Sequence, residues 1–478
     1  MKSYIVMYVE SNWYSLNVYN HDEYTSSLNY IIDDVLVTHQ VTDLIAYFKS
    51  KKVSNLPSII DLESYDKQMS QEGKEFKSFK KWTAFQSLKH HKILDNKFKL
   101  TEDNFKTYMT HLADLYLALS EKDEIEKKRY ETIEKKINRI IYNRQLKGVK
   151  IDSVLAKERC KQIEKEIYRI KNILQFEHNI YTPEDELFQK NYLKQAGYKM
   201  VKSFEYTFKT RKNIDKVCEL LYELMRSIKN LNSLIYTTAH FGGDKRTHPY
   251  YVGFGTITSR ITLRQPSLQN LHRDNRDIII PDDNMKLLYV DYSQFEAGIL
   301  ASLSDDKDLI DLYNTDIYTD LADKVLNDKN NRDDAKIIFY RYMYGDDTLT
   351  QEAQEYFKSF IKLEEYRKKV YQKINSNGRV GTIHGNYRRK QIENDEFTWG
   401  LSHVIQSTAS LIYKNALIST NDKVESCDFL IPMHDGTLYQ IPISVYEETK
   451  SMIKAIYEEE FKRVCPKLEA RVTLKEEF

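Results

Sequence analysis

The sequence predicts an α/β multidomain protein, and three observations carry that prediction. At 478 residues the chain is too long for one ordinary core, so two to four domains are expected. Its first ~115 residues alternate short apolar runs (YIVMYV, DDVLVTH, PSIIDL) with helical patterns such as TDLIAYFKS, which reads as a small α/β unit. Further along, strand-like segments that carry acids ("LLYVDYSQFE" and "CDFLIPMHDGTLYQIPI") are separated by long helical stretches.

The elements follow in order. From about 119 to 178, "EKDEIEKKRYETIEKKINRIIYNRQ" and "AKERCKQIEKEIYRIKNIL" place both charge signs around Ile, Leu and Tyr at helical spacing. Solvated helix surface explains that pattern. "LKGVKID" between them is a glycine-centred turn, and 213–235 is helical again. At 241 the texture changes to the Gly-, Pro- and Thr-rich "FGGDKRTHPYYVGFGTITSRITLRQPSLQN", expected to be loop and strand. Residues 305–375 read as mostly helix, 378–390 (GRVGTIHGNYRRK) as a turn-rich basic connector, and 400–420 as helix. Two strands then flank a turn at Asp435-Gly436, and a helix at 445–463 leads into the strand-like "ARVTL". No internal repeat is visible.

Composition narrows the function classes. The net charge is only +1, so bulk charge announces no nucleic-acid partner, and any basic surface must be local. Cys160, Cys218, Cys427 and Cys465 offer neither a zinc pair nor a disulfide framework. The apolar run in "MKSYIVMYVESNWYS" is too short for a signal peptide, and no stretch approaches the ~20 apolar residues of a membrane span. A cytoplasmic protein is the expectation.

Chemistry concentrates in a few places. In "NRDDAKIIFYRYMYGDD", Arg332, Lys336, Tyr340 and Tyr344 recur every four residues and share one broad helix face. Cations and phenols on one stripe suit a polyanion with a sugar and base attached; a tyrosine-lined core face is the plainer alternative. Asp291 ends an apolar run, Glu296 follows within another, and Asp435 lies at a hairpin tip behind His434. A buried carboxylate is expensive without a partner, and two carboxylates on adjacent strands could hold Mg²⁺ ions. Each also has a plainer use, since Asp-Gly favours hairpin turns and Asp291 could cap the following helix. Spacing alone does not bring 291 and 435 together.

The ordered set "TSRITLRQPSLQN", "DYSQFE", "RDDAKIIFYRYMYG", "IQSTAS" and "MHDG" resembles the polymerase half of the family A DNA polymerases, the bacterial DNA polymerase I group, over about residues 130–478. The resemblance implies a right-hand polymerase (palm, fingers and thumb) behind an N-terminal ribonuclease H-like α/β domain. The implied parts are a degenerate 3′–5′ exonuclease-like domain (1–118), thumb and connecting helices (119–240), first part of the palm (241–310), fingers (311–400) and second part of the palm (401–478). It also implies two Mg²⁺ ions, replaceable by Mn²⁺, held by Asp291, Asp435 and the backbone of Tyr292. Arg332 and Lys336 match residues that grip a deoxynucleoside triphosphate, with Lys336 as proton donor to the leaving pyrophosphate. Tyr340 matches the ring beside the sugar, Tyr344 the ring at the templating position, and Glu296 the steric gate at the sugar 2′ position; Gln294 and Tyr318 complete the nucleotide site. Arg260, Gln269, Asn270, Gln406, His434 and Arg388 match or neighbour residues that meet the primer–template, and Arg389 and Lys390 belong to a basic loop that is equally well a solvated one. A monomer is implied, with no accessory protein identified and no 5′ nuclease region.

Departures from the family pattern accompany the matches. Gly436 stands where the third residue of His-Asp-Glu is usual, which implies weaker metal tuning. Tyr318 replaces a fingers histidine, and Gly298 lies where "EAGI" replaces Glu-Leu-Arg. In the N-terminal unit Tyr8 takes an aspartate's place, Glu10 and Asp43 survive, and Leu112 replaces a metal ligand four residues after Tyr108, with Asp114 as a possible substitute. A domain without proofreading activity follows. The competing expectation is a catalytically silent member that only binds DNA or nucleates an assembly; the intact Asp291, Asp435, Arg332, Lys336 and Glu296 weigh against it.

Overall fold

The computed structural model describes residues 2–72, 83–95, 97–239, 245–390 and 397–478. The expected boundary at 240/241 lies outside them. Contacts divide the chain into a larger unit (Met1–Lys147, Tyr251–Thr262, Asp283–Glu477) and a smaller one (Gly148–Tyr250, Leu263–Asp282, with Phe478).

The larger unit contains two main sheets. In the first, β1 (Ser3–Val9), β2 (Asn12–Asn17), β3 (Tyr24–Thr25), β4 (Val35–Thr38) and β5 (Ser58–Asp61) run in the order β3-β2-β1-β4-β5. β1 and β2 form a hairpin whose turn residues Glu10 and Ser11 both have positive φ, the geometry that matches strand twist. β4 lies parallel to both β1 and β5. Ile5, Met7, Leu16, Val35, Val37 and Ile60 build a core with Tyr108, Met109 and Leu112 from the helix Phe105–Ser120.

The second sheet uses strands far apart in the chain: β6 (Met285–Tyr292), β9 (Asp428–Pro432), β10 (Gly436–Pro442) and β11 (Val472–Lys475), in the order β9-β10-β6-β11. Between them in sequence is a hairpin, β7 (Arg379–Thr382) and β8 (Gly385–Arg389), where the sequence suggested an irregular connector. It forms because Gln71, Asp123 and Glu126 present partners to it. Arg379 binds Asp123 and Gln71, the Tyr387 N–H donates to Glu126 Oε1 at 2.7 Å, and the Arg389 N–H donates to the Gln71 carbonyl at 2.8 Å. The helix Trp399–Lys423 is buried on nearly every side, with polar residues such as His403, Ser410 and Lys414 among its buried positions.

Residues 119–147, expected with the thumb, pack within the larger unit. Glu134 from this segment forms buried ion pairs with Arg129 beside it and with Lys414 on the Trp399–Lys423 helix. The smaller unit is built on the helices Ser153–His178 and Lys216–Ala239, with Glu186–Gln195 and Phe204–Arg211 completing a core of Ile170, Leu174, Leu193, Phe208 and Leu221. Among the described residues no helix is long and apolar enough to cross a membrane.

Candidate active site

Antiparallel pairing of β6 with β10 sets Asp291 opposite Gly436, and the Tyr292 N–H donates to the Asp435 carbonyl at 3.2 Å. The two aspartates that spacing could not join are therefore neighbours across one strand pair. Gly436 explains how the strands come so close. A Cβ there would stand 2.3 Å from the Val290 carbonyl oxygen and 2.7 Å from Asp291 Oδ1. Asp291 does not cap the next helix; Gln294, at φ 53, occupies the N-cap of Phe295–Ser304.

The acids are under-neutralised. Burial, and then the charge of Asp435, push Asp291 up to about 6, although the Tyr289 hydroxyl donates to its Oδ1 at 3.1 Å. Burial also raises Asp435, whose Oδ1 is buried without a hydrogen-bond partner. Adjacent carboxylates with a buried oxygen that accepts no hydrogen bond are the donor set of a hard divalent cation, so these residues fit the implied metal. Lys336 opposes the rise at Asp291, Asp435 and Glu296.

Glu296 is 2% exposed, and burial lifts it to about 7 against the pull of Arg260. Arg260 forms a short ion pair with Glu296 and reaches to 3.9 Å from Asp435 Oδ1. Expected at DNA, this guanidinium is placed among the acids. Its partner Oε1 leaves Glu296 Oε2 buried without a hydrogen bond.

The Arg332–Met343 helix presents its stripe as the spacing predicted. Lys336 Nζ lies 5.9 Å from the Tyr318 ring and 6.0 Å from Tyr340, and Tyr340 stacks with Tyr344 at 6.5 Å. Tyr344 caps the helix and accepts a 2.6 Å hydrogen bond at its hydroxyl from Gln406 Nε2. Arg332 is already engaged: its Nε donates to Asp316 Oδ2 at 2.7 Å, and it lies 4.9 Å over Tyr318. Asp316 also caps Ile317–Leu326 and lies 3.2 Å from the Gln294 amide, which Arg471 reaches from the other side at 2.5 Å. Tyr318 is 2% exposed. Gly298 has its own reason, because a Cβ would meet the Tyr313 ring at 2.7 Å.

His434 is exposed in the turn before Asp435. Arg388 lies 4.0 Å over Trp399, and Lys390 lies 4.8 Å over Phe397. Gln269 and Asn270 belong to the smaller unit. There Gln269 Oε1 accepts from the Leu263 N–H at 2.9 Å, and Asn270 Nδ2 donates to Ser267 Oγ at 2.8 Å.

In the first sheet, the Tyr8 N–H donates to Gln40 Oε1 at 2.8 Å, and His39 meets Tyr108 edge-on at 6.4 Å. Three of the suspected nuclease segments thus converge. Within them Glu10 lies in the left-handed turn, Asp43 is in the first turn of the helix Val41–Ser50, Asp114 pairs with His111 at 4.0 Å, and Leu112 is core.

Sequence reasoning missed Asp316, Tyr289 and Arg471. Tyr289 was findable, since residues two apart in a strand share a face. Asp316 was findable as a helix N-cap. Arg471 had no local signal.

The architecture is that of a polymerase domain. It superimposes on the polymerase domain of Pol1 from M. smegmatis, solved with DNA primer-template and dNTP, with a TM-score of 0.80 at 15% identity, over 99% of this chain and 94% of that one. Residues 147–477 match the model of DNA polymerase family A, and the chain belongs to that family. It is 26% identical over 406 residues to the DNA polymerase I of Caldicellulosiruptor bescii, covering 73% of this chain and 46% of that protein. It is 25% identical over 447 residues to that of Borreliella burgdorferi, covering 79% and 48%. The chain thus spans about half the length of these curated relatives.

Proposed function

We propose that the chain is a template-directed DNA polymerase that joins deoxynucleotides to a primer 3′-hydroxyl and lacks proofreading. The observation that carries this reading is the cross-strand pair Asp291 and Asp435, with a buried oxygen that accepts no hydrogen bond, close to a cation-and-phenol stripe. The primer oxygen attacks the α-phosphorus of a deoxynucleoside triphosphate, its bond to the β-phosphate oxygen breaks, and pyrophosphate leaves. Mg²⁺, or Mn²⁺ in its place, would be held by Asp291, Asp435 and the Tyr292 backbone, and would supply neutralisation of phosphate charge and acidification of the attacking hydroxyl. Arg332 and Lys336 bind the triphosphate, and Lys336 delivers a proton to the leaving pyrophosphate. Tyr340 takes the sugar, Tyr344 covers the templating position, and Glu296 fills the space a 2′-hydroxyl needs. Gln406, Gln269, Asn270 and His434 serve the primer–template.

The absence of proofreading is supported by Tyr8 and Leu112 at positions where carboxylates would be needed. Incubation with Mg²⁺ and a 3′-mismatched, labelled primer tests it: removal of the mismatched nucleotide that Glu10→Ala/Asp43→Ala abolishes would defeat this part. Primer extension tests the rest. Wild-type extension that Asp291→Ala abolishes is expected, whereas tight DNA binding without extension would favour a silent, DNA-binding role.

A further inference from the structure

A second group of buried charges lies apart from the paired aspartates. Arg129 is 1% exposed, Glu134 2% and Lys414 0%. Arg129 Nη2 donates to Glu134 Oε1 at 3.0 Å, Lys414 Nζ donates to Glu134 Oε2 at 2.5 Å, and Lys414 also donates to the Gly253 carbonyl at 3.0 Å. Two cations thus share one carboxylate, while Arg129 Nε and Nη1 have no protein partner. Such a group is a costly source of stability, because apolar residues of similar volume often do as well.

What the group holds is more informative. Arg129 Nη2 also donates to Ser259 Oγ at 3.0 Å. Ser259 Oγ lies 3.1 Å from Ser410 Oγ, and Ser410 donates to the Ser259 carbonyl at 2.9 Å. Ser259 is fully buried and has φ +58, a left-handed conformation that serine adopts at a cost. Its side chain and carbonyl are therefore clamped from two helical segments into a backbone shape it would not choose. The next residue is Arg260, whose guanidinium reaches Glu296 and lies near Asp435.

We infer that Arg129, braced by Glu134 and Lys414, is a positioning residue for Arg260. By fixing Ser259 in the left-handed region it directs the Arg260 guanidinium onto Glu296, and so sets the carboxylate that meets the sugar. The inference rests on the reading of Glu296 as the sugar gate. Arg129 and Glu134 precede residue 147, where the family match begins. The segment that leads out of the N-terminal α/β sheet therefore contributes to nucleotide selection.

The test compares kcat/KM for a deoxynucleotide with that for its ribonucleotide, alongside melting temperature, in Ser259→Ala, Ser259→Gly and Arg129→Met. Ile5→Val, a core substitution in the first sheet, serves as the stability control. The expected result is about a tenfold loss of discrimination in the Ser259 and Arg129 variants, the size of one lost hydrogen bond, and none in Ile5→Val. Ser259→Gly is the sharpest variant, because it relieves the backbone while removing the side-chain half of the clamp. If Arg129→Met fails to fold, Ser410→Ala removes the hydrogen bond to the Ser259 carbonyl and is expected to lose discrimination as well. Discrimination unchanged in the folded variants, with Glu296→Ala altering it, would overturn the inference and leave the gate reading intact. No change in Glu296→Ala itself would overturn both.

Discussion

Replacing Gly436 with alanine perturbs the candidate site by a single methyl group. The added Cβ would lie 2.3 Å from the Val290 carbonyl oxygen and 3.0 Å from Asp291 Cα. Both are backbone atoms, so no side chain can swing away. Bringing the first contact even to 3.0 Å needs about 0.7 Å of movement between β6 and β10. Overpacking of this kind costs about 1–3 kcal/mol, a melting shift of a few degrees in a chain this long. The same movement separates Asp291 from Asp435, and misplacement of about 1 Å costs about 100-fold in rate. Single-turnover primer extension, paired with thermal melting, should therefore show Gly436→Ala folded but slowed by about two orders of magnitude. Gly197→Ala is the control: its Cβ would meet open space, while its own positive φ of +70° disfavours alanine, so it should lose some stability and keep its rate. Extension by Gly436→Ala within threefold of wild type would refute the claim that close strand approach sets the acids. The same geometry accounts for the absent third acid of the HDG motif, because a glutamate there would begin with the same clash.

Other perturbations have equally definite outcomes. Glu296→Ala should chiefly weaken rejection of ribonucleotides, measured as the ratio of kcat/KM values, while leaving deoxynucleotide extension far above that of Asp291→Ala; equal loss in both assays would contradict the gate. Asp316→Ala should raise KM for the nucleotide about three- to tenfold by releasing Arg332, whereas Asp316→Asn, which keeps the helix cap, should stay within about twofold. His403 is buried, its Nε2 lies 2.9 Å from the Asn386 carbonyl, and burial pulls it down to about 3. Because the unfolded chain binds this proton from about pH 6.5 downward, stability is lost as pH falls below that value, by about 2 kcal/mol at pH 5. His403→Gln should flatten the acid limb of a denaturation series by that amount relative to wild type.

How far the sequence reaches is clear from individual residues. The stripe of Arg332, Lys336, Tyr340 and Tyr344 was legible because helical periodicity is local, and β6 was legible from its apolar run. The hairpin β7–β8 was not, because Asp123, Gln71 and Glu126, which hold it, lie more than 250 residues earlier in the chain. The contact of the Arg260 guanidinium with Glu296, across 36 positions, was not legible either. Gly436 looked like a lost acid until the register with Asp291 showed that no side chain fits there. The Arg129–Glu134–Lys414 group left no trace at all: a charged helix reads as solvated surface when its partner is nearly 300 positions away.

The central claim is tested most directly by single-nucleotide incorporation on a defined primer–template with Mg²⁺, comparing wild type with Asp435→Asn. Asn keeps the shape and removes the charge next to Asp291. The account predicts addition of the complementary deoxynucleotide by wild type, strongly preferred over the other three, and a loss of at least about 1000-fold in the variant with DNA binding retained. Incorporation by Asp435→Asn at the wild-type rate, or none by the wild type under the same conditions, would contradict it.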